Sequence, residues 1–240
     1  MTRESGECRM LLESGPTPET QSLPRPIRHD VALQGATEPT IESGPICDSP
    51  QRSVNRADAI AAVRQLLAAV GEDPDRPELA RTPGRVADVF TELFSGIGVD
   101  PADALGTPLD NLSTDEIGDL VALTGIRFTS VCEHHLLPFT GTADVYYAPD
   151  QRIAGLSRIA AVVESAARRP QLQERFGTDI AHAVMTALQP HGVMVRVEAT
   201  HGCVAHAAPN AADSRAVTIA RLGDISGGAL QLALRETRDI

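Results

Sequence analysis

The 240-residue chain contains no lysine, because all 21 of its basic residues are arginines. Any contact that a lysine would make must therefore come from an arginine. Acidic residues outnumber basic ones, and the formal net charge is −11. This balance argues against nucleic acid as a partner, since general nucleic-acid binding needs a basic surface.

Cysteine is also scarce, with four residues at positions 8, 47, 132 and 203. A disulfide-rich secreted domain would be shorter and richer in cysteine. No apolar run approaches the roughly 20 residues that span a bilayer. The N-terminus also lacks the apolar segment of a signal peptide. We therefore expect a cytoplasmic protein that binds no membrane.

The first 52 residues differ in composition from the rest of the chain. Seven of the 17 prolines fall within the first 50 positions, mixed with Ser, Thr, Glu and Gly. Such a segment cannot bury enough apolar surface to offset its ordering entropy. We expect residues 1–52 to be a disordered leader, and we exclude its two cysteines from any metal site. The folded domain is expected over 53–240, with N-terminal helices in 53–115 and a core in 116–240.

Apolar periodicity predicts four helices in the folded domain. The first covers residues 59–67. The second begins at Thr82-Pro83, an N-cap followed by proline at the first helical position. Its apolar stripe, which we expect to lie in the core, consists of Val86, Val89, Phe90, Leu93 and Phe94. The third begins near Gly155 and buries Ile159, Val162, Val163 and Ala166, and the fourth runs from about Pro170 to Leu188.

Four strands are predicted between and after these helices. They begin near Leu120 and cover, in order, residues up to 131, then 143–147, 193–198 and 216–222. The third alternates Val193, Val195 and Val197 with larger or polar residues, which is the period of a strand. Helices, two strands, two helices and two strands predict an α+β fold with an antiparallel sheet and helices on one face.

Two short segments at predicted strand ends carry the chemistry: Cys132-Glu133-His134-His135 and Glu198-Ala199-Thr200-His201-Gly202-Cys203. A lone cysteine is usually a small buried hydrophobe, and a histidine pair can be ordinary polar surface. Here both cysteines of the folded region and three of the seven histidines fall in these two segments, which together contain ten residues. This grouping favours a metal site. A catalytic zinc typically has three protein ligands and a water.

The spacing suggests which residues of the two segments bind a metal ion and which transfer protons. Cys132 and His135 can bind a metal ion from one turn, and Cys203 can reach it from a neighbouring strand. His134 and His201 then stay free for proton transfer. Glu174 is open to two interpretations, since it could lie on a solvated helix face beside Arg175 or could accept the paired N–H donors of a guanine.

Four motifs in order resemble those of GTP cyclohydrolase I. They are Ser130-Val131-Cys132-Glu133-His134-His135, Gly155-Leu156-Ser157-Arg158, Arg169-Pro170-Gln171-Leu172-Gln173-Glu174-Arg175 and the segment 198–203. The order and separations agree from about residue 56 to the end of the chain, and Arg81-Thr82-Pro83-x-Arg85 fits the family's N-terminal helix.

The resemblance implies a tunnelling fold and a homodecamer with active sites at subunit interfaces. It implies zinc-dependent opening of the GTP imidazole ring at C8, release of formate and formation of 7,8-dihydroneopterin triphosphate for pterin or folate synthesis. By position, Cys132, His135 and Cys203 would bind zinc, and His134 and His201 would be acid–base residues. Substrate contacts would come from Gln173, Glu174, Ser157, Arg158 and Arg85.

Two positions depart from the family pattern. Ala161 and Ala207 stand where the family usually has arginines expected to contact the triphosphate, while Arg158 stands in for a lysine. The zinc and proton-transfer residues are intact. Two alternatives therefore remain: a paralogue that opens a different or less phosphorylated purine nucleotide, and a non-catalytic family member that acts as a regulator or subunit.

Overall fold

The structure is a computed structural model that describes residues 54–110 and 120–225. The leader expected over 1–52 lies outside the described residues. The helices and strands, numbered in chain order, are α1 Arg56–Ala69, α2 Thr82–Leu93, β1 Val121–Cys132, β2 Pro138–Ala148, α3 Leu156–Ala167, β3 Pro170–Gln171, α4 Gln173–Leu188, β4 Gly192–His201, α5 Gly202–Ala207 and β5 Ala216–Gly223. Two short 3₁₀ helices lie at Pro101–Leu105 and Pro209–Ala211.

The five strands form one sheet in the order β3-β1-β2-β4-β5. The pairs β1–β2, β2–β4 and β4–β5 are antiparallel, and only the two-residue β3 runs parallel to β1. The α+β class and the antiparallel sheet are thus confirmed. The β2–β4 register places Phe139 opposite His201, so the start of β2 and the end of β4 meet at one end of the sheet.

The hydrophobic core lies between the sheet and helices α3 and α4. Alternate residues of β4 (Val193, Val195 and Val197) are fully buried in it. Phe176 of α4 packs against Phe128 of β1, with ring centroids 4.5 Å apart. The predicted buried face of α3 is confirmed, since all four of its apolar residues are buried. The core therefore fixes both helices against the strands that end at the two sequence clusters.

The prediction that the apolar stripe of α2 lies in the core is wrong for the single chain. None of its five residues is buried, and Val89 is 54% exposed. The physical reason is that α2 packs mainly against α1, a helix that itself has no buried residue. The segment after α2 approaches the rest of the fold, because the Gly96 N–H donates to the Arg168 carbonyl at 2.8 Å.

The predicted start of the fourth helix at Pro170 is also wrong, because α4 begins at Gln173. Pro170 and Gln171 form β3 beside the end of β1, and Leu172 has an extended backbone with φ −104° and ψ 142°. The Gln171 carbonyl accepts the Glu133 N–H at 3.1 Å, so this short segment pairs with the first cluster before the helix starts.

Among the described residues, no helix is long and apolar enough to cross a membrane.

Candidate metal centre

The first cluster forms the turn that joins β1 to β2. The Cys132 N–H donates to the Leu137 carbonyl at 2.9 Å, and the Leu136 N–H donates to the Cys132 carbonyl at 2.8 Å. Leu136 has a left-handed backbone with φ 53°, which is uncommon for a residue other than glycine. This tight turn folds His135 back toward Cys132, so the Cys-x-x-His spacing brings both side chains to one place.

Glu133 ties the turn to the neighbouring elements. Its backbone N–H pairs with β3, as described above, and its carboxylate forms an ion pair with Arg175 in the first turn of α4. The Arg175 Nε also donates to Gln171 Oε1 at 2.8 Å. The β1–β2 turn is therefore held from β3 and from α4 as well as by its own hydrogen bonds.

The second cluster lies where β4 ends and α5 begins. Cys203 is the second residue of the six-residue α5. Through the β2–β4 register, this end of β4 lies beside the β1–β2 turn. The ligand atoms of Cys132, His135 and Cys203 consequently lie within 4.8 Å of one another. Among the residues that the structure describes, this is the group of acidic, cysteine and histidine side chains that could hold a metal ion.

The group fits a zinc ion. Ligands about 2.3 Å from a tetrahedral zinc lie roughly 3.8 Å from each other, so small side-chain movements within the 4.8 Å cluster suffice. Burial, followed by the proximity of Cys132, raises the pKa of the Cys203 thiol. A bound cation would reverse that effect, because a coordinating thiol is deprotonated. Two thiols, one buried and one partly buried, and an exposed imidazole are donors that suit zinc.

His201 lies beside the cluster but outside it. Its ring is stacked on Phe139, with centroids 4.8 Å apart and planes 2° from parallel. Its Nε2 lies 2.6 Å from the Oε1 of Gln173. Burial lowers the pKa of His201, and the charge of Glu174 opposes that shift. His201 is thus a half-buried imidazole held on one face and at one ring nitrogen.

His134 and Glu174 are exposed, as is the candidate ligand His135. His134 lies on the β1–β2 turn, with its ring centroid 6.1 Å from that of His135. Glu174 is exposed on the first turn of α4, where its charge acts on His201. The structure therefore brings His134, His201 and Glu174 to the same end of the sheet as the three candidate ligands.

Gln173 has an environment that sequence reasoning missed. Its side chain is only 3% exposed and bridges α4, β4 and β5 through hydrogen bonds to Val197, Ala216 and His201. No local spacing pattern connects Gln173 to His201, 28 residues later. Only the packing of α4 against the sheet reveals the contact.

The remaining predicted substrate residues lie farther along the surface. Ser157 and Ala161 on α3 line an open cleft of about 760 Å³ together with Arg127 of β1. Arg158 is exposed on the first turn of α3. Arg85 is exposed at the start of α2 and lines a separate cavity of about 390 Å³ formed by α1, α2 and the residues just before α2. Within this chain, Arg85 thus belongs to a different cavity from Ser157.

Comparison with known proteins identifies clear relatives. A protein-family model described as GTP cyclohydrolase I matches residues 59–232. The GTP cyclohydrolase 1 of Leifsonia xyli is 44% identical over 180 residues, which cover 75% of this chain and 93% of that protein. The same enzyme of Geobacillus kaustophilus is 45% identical over 171 residues, covering 71% and 89%. That of Bacillus subtilis is 46% identical over 154 residues, covering 64% and 79%.

A solved structure, the archaeosine synthase QueF-Like in the apo form, aligns with a TM-score of 0.38 and 22% identity over 45% of this chain and 98% of that chain. That similarity is too low to support any conclusion about site or activity.

Proposed function

Because the chain belongs to the GTP cyclohydrolase I family, we propose that it opens the imidazole ring of GTP at C8 in a zinc-dependent reaction. The products would be formate and, after rearrangement, 7,8-dihydroneopterin triphosphate for pterin or folate synthesis. The chain has the tunnelling fold of its family and is a GTP cyclohydrolase I enzyme, with relatives of that name at 44–46% identity.

The observation that carries the proposal is the convergence of Cys132, His135 and Cys203 to within 4.8 Å. These three residues would hold the zinc. C8 of a purine is a poor electrophile and neutral water is a poor nucleophile, so the reaction needs an activated water. When bound, zinc supplies a Lewis acid that makes water acidic enough to act as a nucleophile near neutral pH.

Two histidines are the proposed proton-transfer groups. Opening the ring requires a proton at N7 or N9, and imidazole has a pKa near the working pH. His201 is half-buried beside the cluster, and His134 is exposed on the turn that carries His135. Glu174 lies near enough to act on the pKa of His201, and its carboxylate would accept the paired N–H donors of the guanine edge.

The triphosphate would be bound at the start of α3, where backbone N–H groups and the Arg158 guanidinium provide donors. Ser157 lines the adjacent cleft. Arg85 lines a different cavity of its own chain, so we propose that it serves the site of a neighbouring subunit. This placement supports a homo-oligomer, a decamer by analogy with the family, with active sites at subunit interfaces.

A second candidate substrate is a less phosphorylated purine nucleotide. Ala161 lines the cleft next to Ser157 without contributing a charge, and Ala207 is exposed at the end of α5. Each missing guanidinium contact to phosphate corresponds to a charge-assisted hydrogen bond worth roughly 1.5–3 kcal/mol. Two such losses would weaken discrimination in favour of the triphosphate.

The test is formate release by the zinc-loaded protein with GTP, GDP, GMP and guanosine. We expect the highest kcat/KM with GTP, whereas a preference for GMP or guanosine would support the second substrate. No formate from any of the four would support a non-catalytic role.

The two histidines are tested with His134→Ala and His201→Ala. His191→Ala is the matched control, because His191 is exposed after α4 with its Nε2 3.9 Å from Asp150. We expect only the two site variants to lose turnover.

A further inference from the structure

We propose that Gln173 is a positioning residue that fixes the tautomer of His201, with the proton on Nε2 and the lone pair on Nδ1. The proposal rests on the proposed role of His201 in proton transfer and adds the ring atom that performs it. Gln173 would act through His201, because its buried side-chain amide is fully engaged by protein groups.

The orientation of the Gln173 amide follows from its neighbours. Its Nε2 donates to the carbonyl of Ala216 at 2.9 Å and to that of Val197 at 3.1 Å. The hydroxyl of Thr218 lies 3.3 Å from the same nitrogen. An amide oxygen in that position would face two carbonyl oxygens with no proton between them, since all three are acceptors only. The nitrogen must therefore point at β4 and β5, and the oxygen at His201.

The amide orientation in turn decides which ring nitrogen carries the proton. Oε1 of Gln173 can only accept, and it lies 2.6 Å from Nε2 of His201. That ring nitrogen must therefore be the donor. The opposite tautomer would bring two lone pairs to the same distance in a half-buried site, where an unmade hydrogen bond costs about 1–3 kcal/mol.

The consequence for His201 is that Nδ1 is the nitrogen left for exchange with substrate. Phe139 covers one face of the ring. Among the described residues, 54–110 and 120–225, none forms a hydrogen bond with Nδ1. A ring held at Nε2 and on one face has a single orientation, so Nδ1 points in a fixed direction. Fixed orientation of an acid–base group is a substantial part of its catalytic effect.

The direct test is the ¹⁵N spectrum of the histidine rings in the zinc-loaded protein at about pH 8, where neutral imidazole dominates. The His201 signals are assigned by their loss in His201→Asn. We expect a protonated Nε2 and an unprotonated Nδ1 in the wild-type protein, and a mixture of tautomers in Gln173→Met. A wild-type ring with its proton on Nδ1 would overturn the proposal without any Gln173 variant being needed.

Kinetics provide the second test, with Tyr147→Phe as the control. Tyr147 is likewise fully buried, and its hydroxyl accepts the Ala154 N–H at 3.5 Å near the end of β2 that lies away from Phe139 and His201. We expect Gln173→Met to lower kcat by about tenfold or more with KM for GTP within about twofold, and the control to keep kcat within about twofold. An increase in KM at unchanged kcat would show a substrate contact and contradict the proposal.

The experiments distinguish a failure of the proposed function from a failure of the proposed role of Gln173. A zinc-loaded wild-type protein that releases no formate from GTP would overturn the proposed function. The ring-nitrogen shifts would still decide whether Gln173 sets the tautomer.

Discussion

Replacing Gly141 by alanine should weaken the junction of β2 and β4 next to the candidate metal centre. A Cβ built at Gly141 would lie 2.7 Å from Cα of Ala199 and still closer to the backbone oxygen of Glu198. Both neighbours are backbone atoms of β4, and Gly141 pairs with Ala199 in the sheet. Neither contact can be relieved by turning a side chain, so the two strands must move apart.

The size of the effect follows from these contacts. Overpacking of this kind costs typically about 1–3 kcal/mol, and weakening one or two backbone hydrogen bonds adds about 0.5–1.5 kcal/mol each. We therefore expect the free energy of unfolding to fall by about 3 kcal/mol. For a chain of this length, 1 kcal/mol corresponds to a shift in Tm of about 2–4 °C, so Tm should fall by roughly 6–12 °C.

The assay is thermal unfolding followed by circular dichroism at matched protein and zinc concentrations. Gly84→Ala is the control, because a Cβ there meets only Arg56 Nη2 at 3.7 Å and alanine favours the helix by about 0.5–1 kcal/mol. We expect the control to keep or raise Tm. If Gly141→Ala lowered Tm by no more than about 2 °C, the close approach of β2 and β4 at this point would be refuted.

Three further stability predictions concern buried or partly buried side chains. Phe176→Ala, which empties a fully buried position, should cost about 3–5 kcal/mol in urea unfolding; a cost under about 1 kcal/mol would contradict the packing. Asp144→Ala should cost about 1.5–3 kcal/mol, because it removes the 3.2 Å partner of buried Arg196, which keeps its ion pair with Glu198. An unchanged unfolding midpoint would contradict the Asp144–Arg196 pair. The Arg215 guanidinium and then Arg196 lower the pKa of Glu198, so the ionised Glu198 carboxylate stabilises the folded state. This stabilisation is full above about pH 4.5 and is lost as pH falls through the lower pKa of the folded state. Arg215→Ala should reduce this pH-dependent stabilisation, and identical curves of stability against pH for the variant and the wild-type protein would exclude a contribution from Arg215.

The parts of the fold with regular periodicity could be predicted from the sequence. The alternation of Val193, Val195 and Val197 predicts the strand β4, and the structure buries all three. The residues between them, Met194 and Arg196, are buried as well. They lie on the other face of the sheet, where Arg196 pairs with Asp144, a long-range contact that alternation cannot indicate.

Elements without periodicity could not be predicted. The strand β3 has two residues and α5 has six, which is too few to show a repeat of polar and apolar positions. The stripe on α2 has clear helical periodicity, yet it is not buried in the single chain. Periodicity predicts an apolar face but not the surface that covers it.

In the candidate site, too, local contacts could be predicted from the sequence and long-range contacts could not. Cys132 and His135 are joined by a local turn, so their spacing predicts that they meet. Cys203 could be added because it follows a predicted strand. The contact between Gln173 and His201 depends on how α4 packs against β4 and β5, and a single sequence contains no local signal for it.

Zinc content after dialysis, compared among the wild-type protein, Cys203→Ala and His201→Ala, tests the central claim most directly. That claim divides the two clusters into three metal ligands, Cys132, His135 and Cys203, and a separate proton-transfer residue. We expect stoichiometric zinc in the wild-type protein and in His201→Ala, and little or none in Cys203→Ala. A metal-free His201→Ala, or a Cys203→Ala that retains its zinc, would contradict the ligand assignment.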